Sequence, residues 1–130
     1  MITVNGKKLE FDLTSEEDLQ RYRAAGERMG QAAAGIAPPP AQISTPADFD
    51  GYLVYLEQTC RVLREFIDEV FGEGVCRELI GPMESLAKLL GLFGALEAAL
   101  QSEGFTLSEE IKQYIPNRRT PGTKNRKSRR

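Results

Sequence analysis

The stretch that decides the fold is residues 45–72, TPADFDGYLVYLEQTCRVLREFIDEVFG. Thr45 is a favourable N-cap, Pro46 suits the first helical position and Asp48 suits the first turn. Apolar residues then recur at steps of three and four over about 25 residues, which indicates an amphipathic helix. Those residues are Phe49, Tyr52, Leu53, Leu56, Cys60, Leu63, Phe66, Ile67 and Val70. Gly72 predicts the end of the helix, because glycine accepts the left-handed backbone found at helix ends.

Residues 2–13, upstream, predict a β-hairpin. Asn5-Gly6 is a favoured pair for a two-residue type I′ turn, because both positions of that turn need positive φ. Such a turn pairs Val4 with Lys7 and, one step further out, Ile2 with Leu9. One face of the hairpin is then apolar and consists of Ile2, Val4, Leu9, Phe11 and Leu13.

A first helix is predicted after the hairpin. Thr14-Ser15-Glu16-Glu17 has the form of a capping box, in which Thr14 is the N-cap and Glu17 reaches back to it. Small or apolar residues follow at helical spacing: Leu19, Tyr22, Gly26, Met29, Ala33 and Ile36. Prolines 38–40 end the helix, and residues 37–44 are expected to form an extended linker.

Three more helices are predicted downstream, one long and two short. The first runs over residues 75–80, and the second is opened by Pro82, covers roughly residues 83–103 and ends at Gly104. The third starts with the capping sequence Thr106-Leu107-Ser108-Glu109 and reaches Ile115. We therefore expect a mainly α protein of the α+β class. Residues 1–116 would form one domain, in which the N-terminal hairpin packs on a small helical bundle.

The charges divide the chain into two parts. Residues 117–130 contain seven basic residues and no acid: Arg118, Arg119, Lys124, Arg126, Lys127, Arg129 and Arg130. The other ten basic residues and all 19 acidic residues lie in residues 1–116, which therefore carry a net charge of −9. Like charges with proline and glycine cannot form a packed core, so residues 117–130 are predicted to be a disordered basic tail.

The residue inventory argues against an enzyme. The chain has no histidine, which removes imidazole-based zinc sites, histidine-activated nucleophiles and the usual proton shuttle. Cys60 and Cys76 form no CxxC pair and lie in apolar stretches, so we expect inert thiols. Catalytic carboxylates need an apolar pocket, whereas acidic groups such as Asp68, Glu69 and Glu73 are expected on polar helix faces or in first turns. We expect no catalysis, no metal and no cofactor.

The sequence also predicts a cytoplasmic location without membrane contact. No run approaches the roughly 20 apolar residues of a membrane span, and the first residues lack a secretory signal pattern. Residues 86–96 are rich in leucine and resemble a membrane-active helix. Their polar face carries Lys88 between Glu84 and Glu97 rather than a basic row, which favours a core helix.

Two segments resemble proteins from the tail modules of siphophages and prophages of Gram-positive bacteria. The first is ITVNGKKLEF, residues 2–11, and the second is FIDEVFGEG, residues 66–74, followed by Leu79-Ile80-Gly81. The resemblance implies a tail assembly chaperone. Such proteins are small, helical and self-associating, and they coat the tape-measure protein until tail-tube subunits replace them.

This resemblance implies a non-enzymatic partner surface made of apolar helix faces. We expect the contacts with the tape-measure protein, another tail protein or a second copy to come from Leu56, Leu63, Phe66, Leu89, Phe93 and Leu96. Two alternatives remain open. The chain could be a structural or adaptor protein of a virion or prophage tail, or a nucleic-acid-associated protein that uses residues 117–130. The tail has no aromatic residue for base stacking, so such binding would be weak and nonspecific.

Deleting residues 117–130 is expected to leave the thermal unfolding midpoint nearly unchanged. The segment has no apolar side chain to place in the core, so its loss removes no burial. Circular dichroism melts of the full chain and the shortened chain test this expectation. A midpoint lowered by several degrees would show that the basic segment stabilises the folded part.

Overall fold

The computed structural model describes residues 1–106, which form two strands and four helices. Their order is β1 (Ile2–Val4), β2 (Lys7–Leu9), α1 (Glu16–Ala34), α2 (Pro46–Phe71), α3 (Val75–Ile80) and α4 (Leu86–Ser102). The predicted fold class, mainly helical with an N-terminal hairpin, is confirmed. The predicted last helix and the predicted disorder of the basic tail lie outside the described residues.

The hairpin has the predicted register. Ile2 pairs with Leu9 and Val4 with Lys7 in an antiparallel sheet. Asn5 and Gly6 adopt φ values of 52° and 81°, as the type I′ turn requires. The predicted apolar face is buried at Ile2, Val4, Leu9 and Phe11, and Leu13 packs against it. The hairpin is therefore fixed by its apolar face, with β1 lying on α4.

One core joins the hairpin to α1, α2 and α4. Phe66 of α2 lies at its centre, with its ring 6.1 Å from that of Tyr22 in α1 and 5.7 Å from that of Phe93 in α4. Phe11, just after the hairpin, packs edge-on against Phe71 at 5.3 Å. Aromatic contacts thus connect all four parts, and such contacts add to the free energy of apolar burial.

Two helix starts differ from the prediction. The N-cap of α1 is Ser15, whose Oγ accepts from the Asp18 amide at 3.2 Å. Thr14 does not cap the helix, because its hydroxyl donates to Asp12 Oδ1 at 2.7 Å instead.

The prediction that Pro82 opens α4 near residue 83 was also wrong. The helix starts at Leu86, after the N-cap Ser85, whose Oγ accepts from the Lys88 amide at 3.1 Å. Glu84 stays outside the helix and pairs with Arg64 of α2.

Other predicted boundaries are confirmed. Thr45 caps α2 by accepting from the Asp48 amide at 3.1 Å, and Pro46 occupies the first turn. Helix α3 has the predicted bounds, and Gly104, with φ of 82°, follows the end of α4. Residues 37–44 form neither helix nor strand. The helices on either side of this linker share one core, so it does not separate two domains within residues 1–106.

Helix α4 is a core helix. Leu89, Leu92, Phe93, Leu96 and Leu100 are all buried. Within residues 1–106, no helix combines the length and the apolar character needed to cross a membrane.

Replacing a buried valine of α2 is expected to cost far more stability than replacing an exposed one. Val70 is fully buried, whereas Val54, on the same helix, is 50% exposed. We expect Val70→Ala to lower the free energy of unfolding by about 2 kcal/mol, from lost burial and a residual cavity. Val54→Ala should change it by less than about 0.5 kcal/mol. Urea denaturation of both variants measures the difference, and equal losses would contradict the packing of α2.

Candidate functional site

The six predicted contact residues lie mostly in the core. Five of them are between 0% and 2% exposed: Leu63, Phe66, Leu89, Phe93 and Leu96. These five pack against their own chain and stabilise the fold, because a side chain without solvent access cannot contact a partner. Leu56 alone is partly exposed. Of the six predicted contact residues, Leu56 is therefore the one that the described fold leaves accessible to a partner.

The large exposed apolar surface of the helices lies in the first half of α2. Phe49 and Leu53 are 52% and 47% exposed, and Leu56 and Cys60 are half-buried. We call these four residues the open seam. They follow one another at steps of four, three and four residues, the spacing of a coiled-coil contact stripe. The stripe continues without interruption into the core at Leu63, Ile67 and Val70.

The open seam exists because α2 is longer than its neighbours. Its 26 residues span about 39 Å, whereas the 19 residues of α1 and the 17 of α4 span about 28 and 25 Å. The end of α1 lies beside Tyr55 and Thr59, and the start of α4 lies beside Leu56 and Cys60. The first two turns of α2 therefore extend beyond both covering helices.

An open groove of about 560 Å³ runs along this surface, between α2 and the start of α4. Its apolar part is formed by Leu53, Leu56 and Cys60 of the open seam and by Leu86 of α4. Side chains that a neighbouring helix would otherwise bury thus lie in water on one side of the molecule. A groove of this form accepts an amphipathic helix through apolar contacts.

Charged side chains line the edge of the groove. Arg64 Nη1 donates to both carboxylate oxygens of Glu84, at 2.6 and 2.8 Å, and so fixes the start of α4 against α2. Arg61 Nη2 lies 3.4 Å from Glu57 Oε2, one helical turn away. An apolar floor with a polar edge is the usual anatomy of a protein–protein contact.

A smaller cavity of about 180 Å³ lies on the opposite side of α2, between the end of α1 and the linker. Ile36, Pro38 and Tyr55 line it together with Thr59. Thr59 Oγ1 is buried and has no hydrogen-bond partner within the described part of the chain. Sequence reasoning missed this feature, because a threonine in a helix ordinarily satisfies its hydroxyl locally.

Two of the acidic groups of α2, Asp68 and Glu69, hold helices together. Asp68 Oδ1 accepts from the Cys76 amide at 2.9 Å and so joins α2 to α3. Glu69 pairs with Arg28 of α1. Hydrogen bonds from Thr14 lower the pKa of Asp12 in the loop before α1. In residues 1–106, the cysteine and carboxylate side chains form no group of three that could hold a metal ion.

The two thiols differ: Cys76 is buried, as expected, whereas Cys60 is only partly buried. Burial, together with the nearby carboxylates of Asp68 and Glu84, raises the pKa of the Cys76 thiol to about 12. Burial also raises the pKa of Cys60, although this side chain lines the open groove.

A family model matches residues 5–130, nearly the whole chain. The chain belongs to that family, described as a family of unknown function, DUF6673. The matched range begins at the hairpin turn and includes the basic segment 117–130 as well as the open seam. No curated protein and no solved structure matches this DUF6673 chain at a significant level.

The two thiols are expected to differ in reactivity with Ellman's reagent at pH 8. With a pKa of about 12, only about one Cys76 thiol in 10⁴ is ionised at that pH, and the thiolate is the reactive form. Cys76 should therefore react mainly through opening of the fold, whereas Cys60 should react directly, although more slowly than free cysteine. Single-thiol variants Cys60→Ser and Cys76→Ala separate the two rates. In denaturant both thiols should react alike, and a native Cys76 as fast as free cysteine would contradict its burial.

Proposed function

We propose that this protein is a tail assembly chaperone of a phage or prophage, acting by stoichiometric binding in the cytoplasm of the bacterial host. The observation that carries the proposal is the open seam, a contact stripe of α2 that the helices within residues 1–106 leave uncovered. The resemblance of residues 2–11, 66–74 and 79–81 to tail-module proteins gives the setting. The proposed client is the tape-measure protein or another tail protein with exposed amphipathic helices.

A client helix would bind by completing the packing that α2 lacks. Its apolar stripe would lie on Leu53 and Leu56, with Leu86 closing the groove on one side. Apolar burial contributes roughly 25 cal/mol per Å², so a few leucine-sized contacts give modest affinity at each site. Many such sites along a long helical client would together keep its apolar stripes out of water, while each site stays exchangeable. Exchange is needed if tail-tube subunits are to replace the chaperone.

The client is identified by purifying the tagged full chain from its native bacterium during prophage induction, followed by mass spectrometry. The chaperone proposal expects the tape-measure protein or another tail protein in the eluate, retained at moderate salt because the contacts are apolar. Binding through the basic residues 117–130 would instead release nucleic acid as salt rises. An adaptor protein would remain in finished tail particles, from which a chaperone should be absent.

Leu53→Asp is expected to weaken client retention by at least about tenfold, because it places a charge in an apolar contact. Val54→Asp is the matched control, since Val54 is equally exposed on the same helix but lies off the open seam. Circular dichroism should show both variants as helical as the native chain. Equal retention by both variants would remove the open seam from the client contact. The absence of any tail protein from the native eluate would overturn the proposed function.

A further inference from the structure

We propose that, in the absence of a client, the open seam is covered by the open seam of a second copy of this chain in an antiparallel α2–α2 pair. The dimer does not depend on the proposed function. Only its displacement by a client does, because both partners would occupy the same face.

The spacing of the open seam makes it complementary to itself. Reversing α2 about a point between residues 54 and 55 carries position 49 onto 60 and position 53 onto 56. Phe49 therefore packs against Cys60 of the second copy, and Leu53 against Leu56. These are the layers in which an antiparallel coiled coil inserts its side chains. Every contact occurs twice about the two-fold axis, so the pair is closed and leaves no further seam open.

The charges of α2 favour the antiparallel direction. The overlapping part of the two helices begins with Asp48 and Asp50 and ends near Arg61, whereas Glu65, Asp68 and Glu69 lie beyond the overlap. An antiparallel pair brings Asp48 of each helix level with Arg61 of the other, and it also opposes the helix dipoles. A parallel pair would instead place the acidic starts of the two helices side by side, where their charges repel. Glu57 would lie beside the acidic start of the other helix. Its negative charge is offset by Arg61 of its own chain, which lies 3.4 Å away.

The groove provides a further contact in this arrangement. Leu86 lies beside Leu56 and Cys60 of its own chain. In the antiparallel pair, Leu56 is level with Leu53 of the second copy and Cys60 with Phe49 of that copy. Leu86 therefore approaches Phe49 of the second copy. Leu86 of each chain thus covers the ring that its partner exposes. The contact remains short, so the dimer should be weak, with dissociation at micromolar concentration.

Sedimentation of the full chain over a wide concentration range tests the dimer. The mass should rise from 14.5 kDa at low concentration to twice that value at high concentration. Leu53→Asp should raise the dissociation constant by at least about tenfold, whereas Val54→Asp should leave it within about twofold. A native chain that stays at 14.5 kDa at the highest concentration overturns the proposal, and so does an equal effect of the two variants.

The register is tested by cross-linking the Phe49→Cys variant under mild oxidation with copper phenanthroline. The introduced thiol should form a disulfide with Cys60 of the second copy, giving a covalent dimer on non-reducing gels. Adding Cys60→Ser should abolish this product, and Val54→Cys should give little of it. A covalent dimer that persists without Cys60 would show that the introduced thiols meet each other, which overturns the antiparallel register. No client takes part, so this result stands apart from the test of the proposed function.

Discussion

Burial of the second half of α2 is the interaction on which the rest of the structure depends. Leu63, Phe66, Ile67 and Val70 are almost without solvent contact. Helices α1 and α4 pack against α2, and the hairpin rests on α4 in the same core. Burying one such side chain stabilises a protein by about 1.5–3 kcal/mol. Four together match the net stability of a small domain, which is about 5–15 kcal/mol. The short strands have too few ladder hydrogen bonds to hold a hairpin alone, so their apolar face must rest on this core.

The helices that bury the second half of α2 are too short to cover its first half, which stays exposed. A helix continues as long as its sequence permits, and Thr45 with Pro46 starts α2 well beyond the points at which α1 ends and α4 begins. Phe49 and Leu53 then lie largely in water. A surface of this kind favours association, because covering it with another helix gains burial that the helices within residues 1–106 do not supply. Length mismatch between helices is thus the physical origin of the proposed contact surface.

Most of the fold could be predicted from local sequence, and the errors have local causes. The Asn5-Gly6 turn determined the hairpin register, because only one register places all its apolar residues on one face. The cap of α1 was misplaced because Thr14 and Ser15 are both good caps, and the competing acceptor Asp12 was not considered. The start of α4 was misplaced for a tertiary reason. Glu84 is held outside the helix by Arg64, twenty residues earlier in the chain, and no local pattern predicts that ion pair.

The candidate site was predicted only in part. The stripe along α2 was visible in the sequence, but Leu63 and Leu56 have the same residue type and the same spacing within it. Which of them is buried depends on where the other helices end, and those end points are set by caps and ion pairs elsewhere in the chain. Beyond Cys60 a side chain on this stripe contributes to folding, and association is the role that we propose for the part before that point. On this proposal, a polar substitution on the stripe acts on stability or on binding according to its position relative to the ends of α1 and α4, not according to its hydrophobicity.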